Sequence, residues 1–228
     1  MEYSNYFLTE EYICKNTKYL KYNTYKKIKK IDKKKEKEYY EEIDGNIFLK
    51  YFLILKYTLD KYDWDKMNNF AREEEEKMKI IEDLRKNKDR LKMLKIILKN
   101  IECNILETKM SLEVFINLCK YYDISLIISN KNISMYINPK EDVLPNFINM
   151  NENKNYRIKL FEDEQNRRYE LNRILNNNLM VDNMVKPFKI ISNYKLPELK
   201  IMVEKLKLGI DIKDKKLDLY NKMIEYIK

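Results

Sequence analysis

The sequence predicts a mainly α-helical chain with a small antiparallel β-hairpin or meander, α+β overall, closing with a two-helix module. Three observations predict it. Glycine is absent from 46 to 208 and proline from 1 to 138, so nothing there breaks a helix. Apolar residues recur at i, i+3, i+4 spacing over 47–59 and in a heptad-like series over 70–105. Two Ile-rich runs, 124–128 and 133–137, flank the turn candidate Ser129-Asn130-Lys131-Asn132.

Residues 1–45 form a basic arm rich in Tyr and Lys, ending at the turn signal Asp44-Gly45-Asn46. Residues 46–185 form the helical domain with its small meander. Ile47, Phe48, Tyr51, Phe52, Leu55 and Leu59 make one helix face. Phe70, Leu84, Leu91, Leu98 and Ile105 stand at multiples of seven, with Leu94 and Ile101 offset by three, a seam at a and d positions of one longer helix. Lys77 and Asn87 fall on that seam and shorten it; packing within the chain is expected ahead of dimerisation. Ser111 caps a helix through Tyr122 that buries Leu112, Phe115, Ile116 and Cys119. The hairpin follows, then a loop with Pro139 and Pro145, a third alternating strand at 156–161, and a polar helix over 162–176. Residues 186–228 form the closing module. Pro197 suits a first helical turn, Leu199, Met202, Val203 and Leu206 make a buried stripe, and Gly209 ends the helix. A second helix carries Leu217, Tyr220, Met223, Ile224 and Ile227.

Composition narrows the function classes. The chain has 228 residues, a net charge of +9, two Gly and no His. Its abundant Lys, Asn, Ile and Tyr have A/T-rich codons, so part of the lysine excess reflects coding bias. The charge is not spread evenly, however. Residues 15–37 hold eleven lysines against Asp32 and Glu36, a net +9, which leaves the remainder close to neutral. Cys14, Cys103 and Cys119 form no Cys-x-x-Cys pair and no disulfide framework. Without His, neither a Cys nucleophile nor a zinc site has its usual partner. Only Gly45 and Gly209 exist, so a Gly-rich phosphate loop is excluded, as are a G-x-S-x-G elbow and a metalloprotease His pair. The expectation is no enzyme and no cofactor. The start lacks a basic-then-apolar leader, and the most apolar run, 47–59, is interrupted by Lys50 and Lys56, so no membrane partner is expected and the location is intracellular, in cytoplasm, nucleus or virion.

One constellation carries a functional expectation. Tyr194-Lys195-Leu196-Pro197-Glu198-Leu199-Lys200, then Leu206, Gly209-Ile210, Lys215-Lys216-Leu217-Asp218-Leu219 and Met223-Ile224, resembles a SAP-type helix–extended-loop–helix module over about thirty-five residues. The family implies binding to nucleic acid, DNA ahead of RNA. One departure is Asp214, where the family commonly has Gly before the second-helix lysines. A helix N-terminus joined by lysines is a natural phosphate site; the candidate contacts are Lys195, Lys213, Lys215 and Lys216. The arm adds Lys26, Lys27, Lys29, Lys30, Lys33 and Lys34, interleaved with tyrosines in the manner of a single-strand grip. In the C-terminal half, a helix, an Ile-rich hairpin, an Asn-rich helix and then Lys186-Pro187-Phe188-Lys189-Ile190-Ile191-Ser192-Asn193-Tyr194-Lys195 leading into the two-helix module resemble small proteins of large nucleocytoplasmic DNA viruses, which implies a viral origin and no particular activity. The alternative is a structural or scaffold protein that binds other proteins through the helical seam and the C-terminal hairpin.

Overall fold

The computed structural model describes residues 46–58, 70–150, 155–159, 161, 163–209, 211 and 214–227. Among them are eight α-helices: α1 (Ile47–Tyr57), α2 (Phe70–Lys86), α3 (Lys88–Met93), α4 (Leu98–Ile105), α5 (Leu112–Tyr121), α6 (Glu164–Asn177), α7 (Leu196–Lys205) and α8 (Lys216–Ile227). Five strands complete them: β1 (Leu126–Asn130), β2 (Ile133–Ile137), β3 (Asn146–Met150), β4 (Tyr156–Lys159) and β5 (Leu179–Met180). None of the described helices is long and apolar enough to cross a membrane.

The strands form one sheet in the order β4-β3-β1-β2-β5. β1 and β2 pair antiparallel across a two-residue turn, from Leu126 opposite Ile137 to Asn130 opposite Ile133, and Lys131 takes φ 52° there. β3 then lies parallel to β1 on its other side, β4 runs antiparallel to β3, and β5 joins β2 in parallel. This overturns the expected antiparallel meander: the sheet is five-stranded and mixed. The loop expected after Pro139 contains β3. Its apolar run is short and bracketed by Asn, a poor strand former. Tertiary contacts recruit it. The Asn146 amide donates to Ser125 O at 3.2 Å and Arg167 Nη2 donates to Asn146 Oδ1 at 3.2 Å, while Phe147 and Ile148 are buried on opposite faces.

Leu126, Ile128, Met135, Ile137, Ile148 and Ile158 face the main core, which α1 and α5 fill with Phe48, Phe52, Phe115 and Leu118. The opposite face carries Ile127 and Phe147 and meets Ile174 of α6. Ser111 caps α5 as expected, accepting from Val114 N–H at 3.3 Å. At the other end of the helix, Asp123 takes φ 58° and Ile124 N–H donates to Cys119 O at 2.9 Å, a Schellman close.

The expected single seam helix is three helices. Asn87 donates its side-chain amide back to Asp83 O at 2.9 Å, an alternative to continuing the helix, and stands at φ −113°. After Met93 the chain turns again, with Lys95 at φ 56° and Ile96 N–H donating to Leu91 O at 2.9 Å. The folding back matters for packing. Leu84, Leu91, Ile101 and Ile105 enter the same core as α1, rather than a stripe offered to a partner, and Leu94 stays exposed.

Candidate nucleic-acid interface

α7 and α8 pack on each other through Leu199, Val203, Leu206, Leu219 and Met223, all fully buried. Their core continues into the sheet through Ile133 and Leu179. Of the shared core expected from Leu199, Leu206, Leu219 and Ile224, the first three are buried and Ile224 is half-buried; Met223 joins Leu219 on the inward face of α8, and Leu217 is exposed. Gly209 does not end α7 by its conformation. Lys207 takes the left-handed position at φ 59°, Lys207 N–H donates to Glu204 O at 2.8 Å and Leu208 N–H to Val203 O at 3.0 Å. The hairpin turn docks on this unit. Asn132 N–H donates to the Tyr226 hydroxyl at 3.2 Å, and Lys131 Nζ lies 5.0 Å from the Tyr226 ring.

Both helix starts are closed by the chain's own carboxylates. Glu198 accepts from Lys195 N–H at 2.6 Å, and Asp218 accepts from Lys215 N–H at 2.9 Å. Asp214 accepts from Lys222 Nζ at 2.7 Å and from Asp211 N–H at 2.8 Å, and these bonds hold its carboxyl below the usual range. Lys222 also donates to Gly209 O at 2.9 Å, tying the link to α8. Lys195 and Lys215 are exposed and Lys216 is half-buried. Lys213, and the arm lysines Lys26, Lys27, Lys29, Lys30, Lys33 and Lys34, lie outside the described residues.

A feature that spacing alone did not reveal joins the two helix starts. The rings of Tyr194 and Tyr220 are 6.4 Å apart. Tyr194 OH accepts from Lys189 N–H at 2.8 Å, and Tyr220 OH donates to Lys189 O at 2.9 Å. Lys189 and Lys195 are exposed beside this half-buried pair, and Tyr220 lies one turn beyond Lys216. Cations around aromatic rings are the elements that hold a nucleic-acid backbone and stack its bases. Tyr194 was legible only as part of a motif, and its ring partner comes from the other helix.

A second polar region lies between α2, α3 and the end of α5. Asp83, Asn87, Arg90, Tyr121, Tyr122 and Asp123 line an open cleft of about 320 Å³. The Arg90 guanidinium sits 5.3 Å from the Tyr121 ring. The Tyr122 hydroxyl is buried; Asp83 helps burial to push it up, yet the hydroxyl makes no hydrogen bond of ordinary geometry. Nearby, the Lys56 ammonium lies 4.6 Å from Tyr122, 4.9 Å from Tyr57 and 5.9 Å from Phe52, so the chain's own cation fills that aromatic cage. Tyr57 donates to Glu76 at 2.6 Å, and burial with this bond pushes its hydroxyl up to about 12. Apart from the Tyr122 hydroxyl, these groups contact one another, which suits a structural role. Cys119 is buried and its thiol is pushed up by burial, whereas Cys103 is exposed. Among the described residues, no group of three or more Cys, Asp or Glu side chains is placed to hold a metal ion. No model of a known family, no curated protein and no solved structure matches this chain.

Proposed function

We propose that this chain is a non-catalytic nucleic-acid-associated protein that holds its polymer by lysine side chains. The observation that carries the reading is the concentration of the entire net charge of +9 within residues 15–37. Such a segment neutralises phosphates whatever the sequence they belong to. Lys189, Lys195 and Lys216 beside the Tyr194–Tyr220 pair supply a second contact, on the unit that resembles a SAP-type module. Because the Glu198 and Asp218 carboxylates each take one amide at the two helix starts and place negative charge there, the lysines are the main phosphate contacts. DNA is the favoured polymer, and the likeness to small proteins of large nucleocytoplasmic DNA viruses supports a viral setting.

Titration of the full chain against single- and double-stranded DNA and RNA, at several salt concentrations, tests this. Binding should weaken linearly in log–log salt. Changing Lys195, Lys213, Lys215 and Lys216 to Gln should reduce the slope by about 0.9 per lost phosphate contact on a duplex, or about 0.7 on a single strand. Absence of binding at low salt overturns the reading. A scaffold role would then hold, favoured by a different observation: Ile190, Ile201 and Leu217 are large apolar side chains exposed on or beside the two-helix unit.

A further inference from the structure

The break between α3 and α4 leaves an apolar knuckle in water. Met93 is 84% exposed and Ile97 63%, with Leu94 beside them. The knuckle is not a frayed end. Leu91 before it and Ile96 within it are buried in the main core. Lys95 N–H donates to Lys92 O at 3.0 Å and Ile96 N–H to Leu91 O at 2.9 Å, so backbone bonds hold the turn. The flanking chain carries Lys86, Lys88, Lys92, Lys95 and Lys99, all exposed, and one acid between residues 86 and 99, Asp89, while Arg90 lines the cleft with Asp83 and Asp123. Asp89 is itself exposed and meets Lys92 at 3.4 Å, an ion pair too solvated to neutralise the patch.

We propose that this knuckle is a docking surface for an anionic lipid bilayer, which Met93, Leu94 and Ile97 enter while the surrounding cations meet the headgroups. Two properties together select this partner. A nucleic-acid backbone would satisfy the cations and leave the aliphatic side chains without an apolar environment. A protein groove would take the aliphatic side chains, yet would have to match five lysines with fixed acids. A bilayer carrying anionic lipid supplies mobile negative headgroups directly above hydrocarbon, the two layers that this surface presents in the same order. Long lysine stems reach upward while their carbon chains stay in the apolar zone. Surface contact of this kind needs no helix long enough to span.

The test uses the full chain with vesicles of phosphatidylcholine alone and of phosphatidylcholine with phosphatidylserine, separated by sedimentation. Binding is expected to the phosphatidylserine vesicles and not to phosphatidylcholine alone, and it should weaken with salt. The 15–37 segment would also approach anionic vesicles by charge, so the decisive variant keeps every charge. Met93→Ser with Ile97→Ser should lower the partition about tenfold or more, as expected for losing two inserted apolar side chains. Both side chains face water, so circular dichroism and melting should match the parent. A second variant reads insertion directly: Met93→Trp in a Trp64→Phe background should shift its emission to the blue and be quenched by brominated acyl chains. Unchanged partition of the serine pair, equal binding to uncharged vesicles, no vesicle binding at all, or an unshifted tryptophan each overturns the proposal. So does loss of DNA or RNA affinity in the serine pair without loss of vesicle binding, which would make the knuckle a nucleic-acid wedge.

Discussion

The two faces of the sheet are built on different principles. Toward α1 and α5 the contacts are apolar, with Phe48 and Phe115 stacked at 5.3 Å between ring centroids. Toward α6 only Ile127, Phe147 and Ile174 form a buried apolar cluster. Polar groups close the rest of that face. Ser129 and Ser134 share a hydrogen bond at 2.8 Å, and Asn178 Nδ2 donates to Ser134 Oγ at 2.8 Å. Arg167 donates to Pro145 O and Leu144 O, both at 2.9 Å, pinning the β2–β3 loop. Lys159 lies 3.4 Å from the buried Glu170 carboxylate, which also accepts from Arg173 at 2.8 and 2.7 Å. One side gains stability from removing area from water. The other relies on pairing buried polar groups with one another, with the buried Ser125 hydroxyl left without a partner.

The largest effect should come from the apolar side. Phe115→Ala should cost about 3–5 kcal/mol, through lost burial plus the cavity that the packed neighbours cannot fill. Ile174→Ala on the α6 side should stand near the low end of its class, about 2 kcal/mol, because half-buried neighbours such as Leu171 and Tyr136 can collapse into the space. Urea unfolding of both variants checks this, with the midpoint shifted and the slope retained. Equal losses would mean that the two faces do not differ in the way described.

The polar side should announce itself through pH. Burial pushes the Glu170 carboxyl up, but hydrogen bonds from Arg173 and the charges of Lys159 and Arg173 outweigh it and leave it below the usual value. A carboxyl depressed by folding binds more protons when unfolded. Its contribution is therefore present above the unfolded pKa, roughly 4.3, and is lost as pH falls through the lower folded value. Glu170→Gln should cost about 1–3 kcal/mol at neutral pH. It should also flatten the acid limb of the stability profile, whereas Phe115→Ala shifts that profile bodily. A parallel shift in both variants would show that Glu170 is not the acid-sensitive group.

The difference between the faces also explains what could be read in advance. α1, α5 and the β1–β2 hairpin announce themselves because apolar spacing is what the main core requires, and Ser111 marks the start of α5. β3 was hidden because its stabilisation comes from the Arg167 clamp and the Asn146 amide, contacts distant in sequence. The break at Asn87 and the turn at Lys95 were hidden for another reason. Heptad spacing identifies apolar positions but not where the helix bends, so Met93 and Ile97 reach the surface from within an apolar run. At the C-terminal unit the lysines were legible as residues. That Glu198 and Asp218 close the helix starts, and that Tyr194 meets Tyr220, depends on how the helices lie.

The smallest effect tests a cost that belongs to neither face. With two glycines in the chain, left-handed backbone positions fall to other residues: Thr58, Lys95, Asp123, Lys131, Asn138 and Lys207 all have positive φ among the described residues. A side chain there meets the following carbonyl, which costs roughly 1–2 kcal/mol for an L-residue, least for Asn and Asp. Lys207 is the cleanest case. It closes α7, it is exposed, and its own N–H bond to Glu204 O is made by the backbone. Lys207→Gly should relieve the strain and lose part of the gain to the greater freedom of glycine in the unfolded chain. The net stabilisation should be about 0.5–1 kcal/mol. Lys207→Ala keeps the Cβ and removes the charge, so it should leave stability within about 0.5 kcal/mol of the parent. If alanine stabilises as much as glycine, the gain comes from removing a repelled cation near the other C-terminal lysines, and the left-handed backbone there carries no measurable strain.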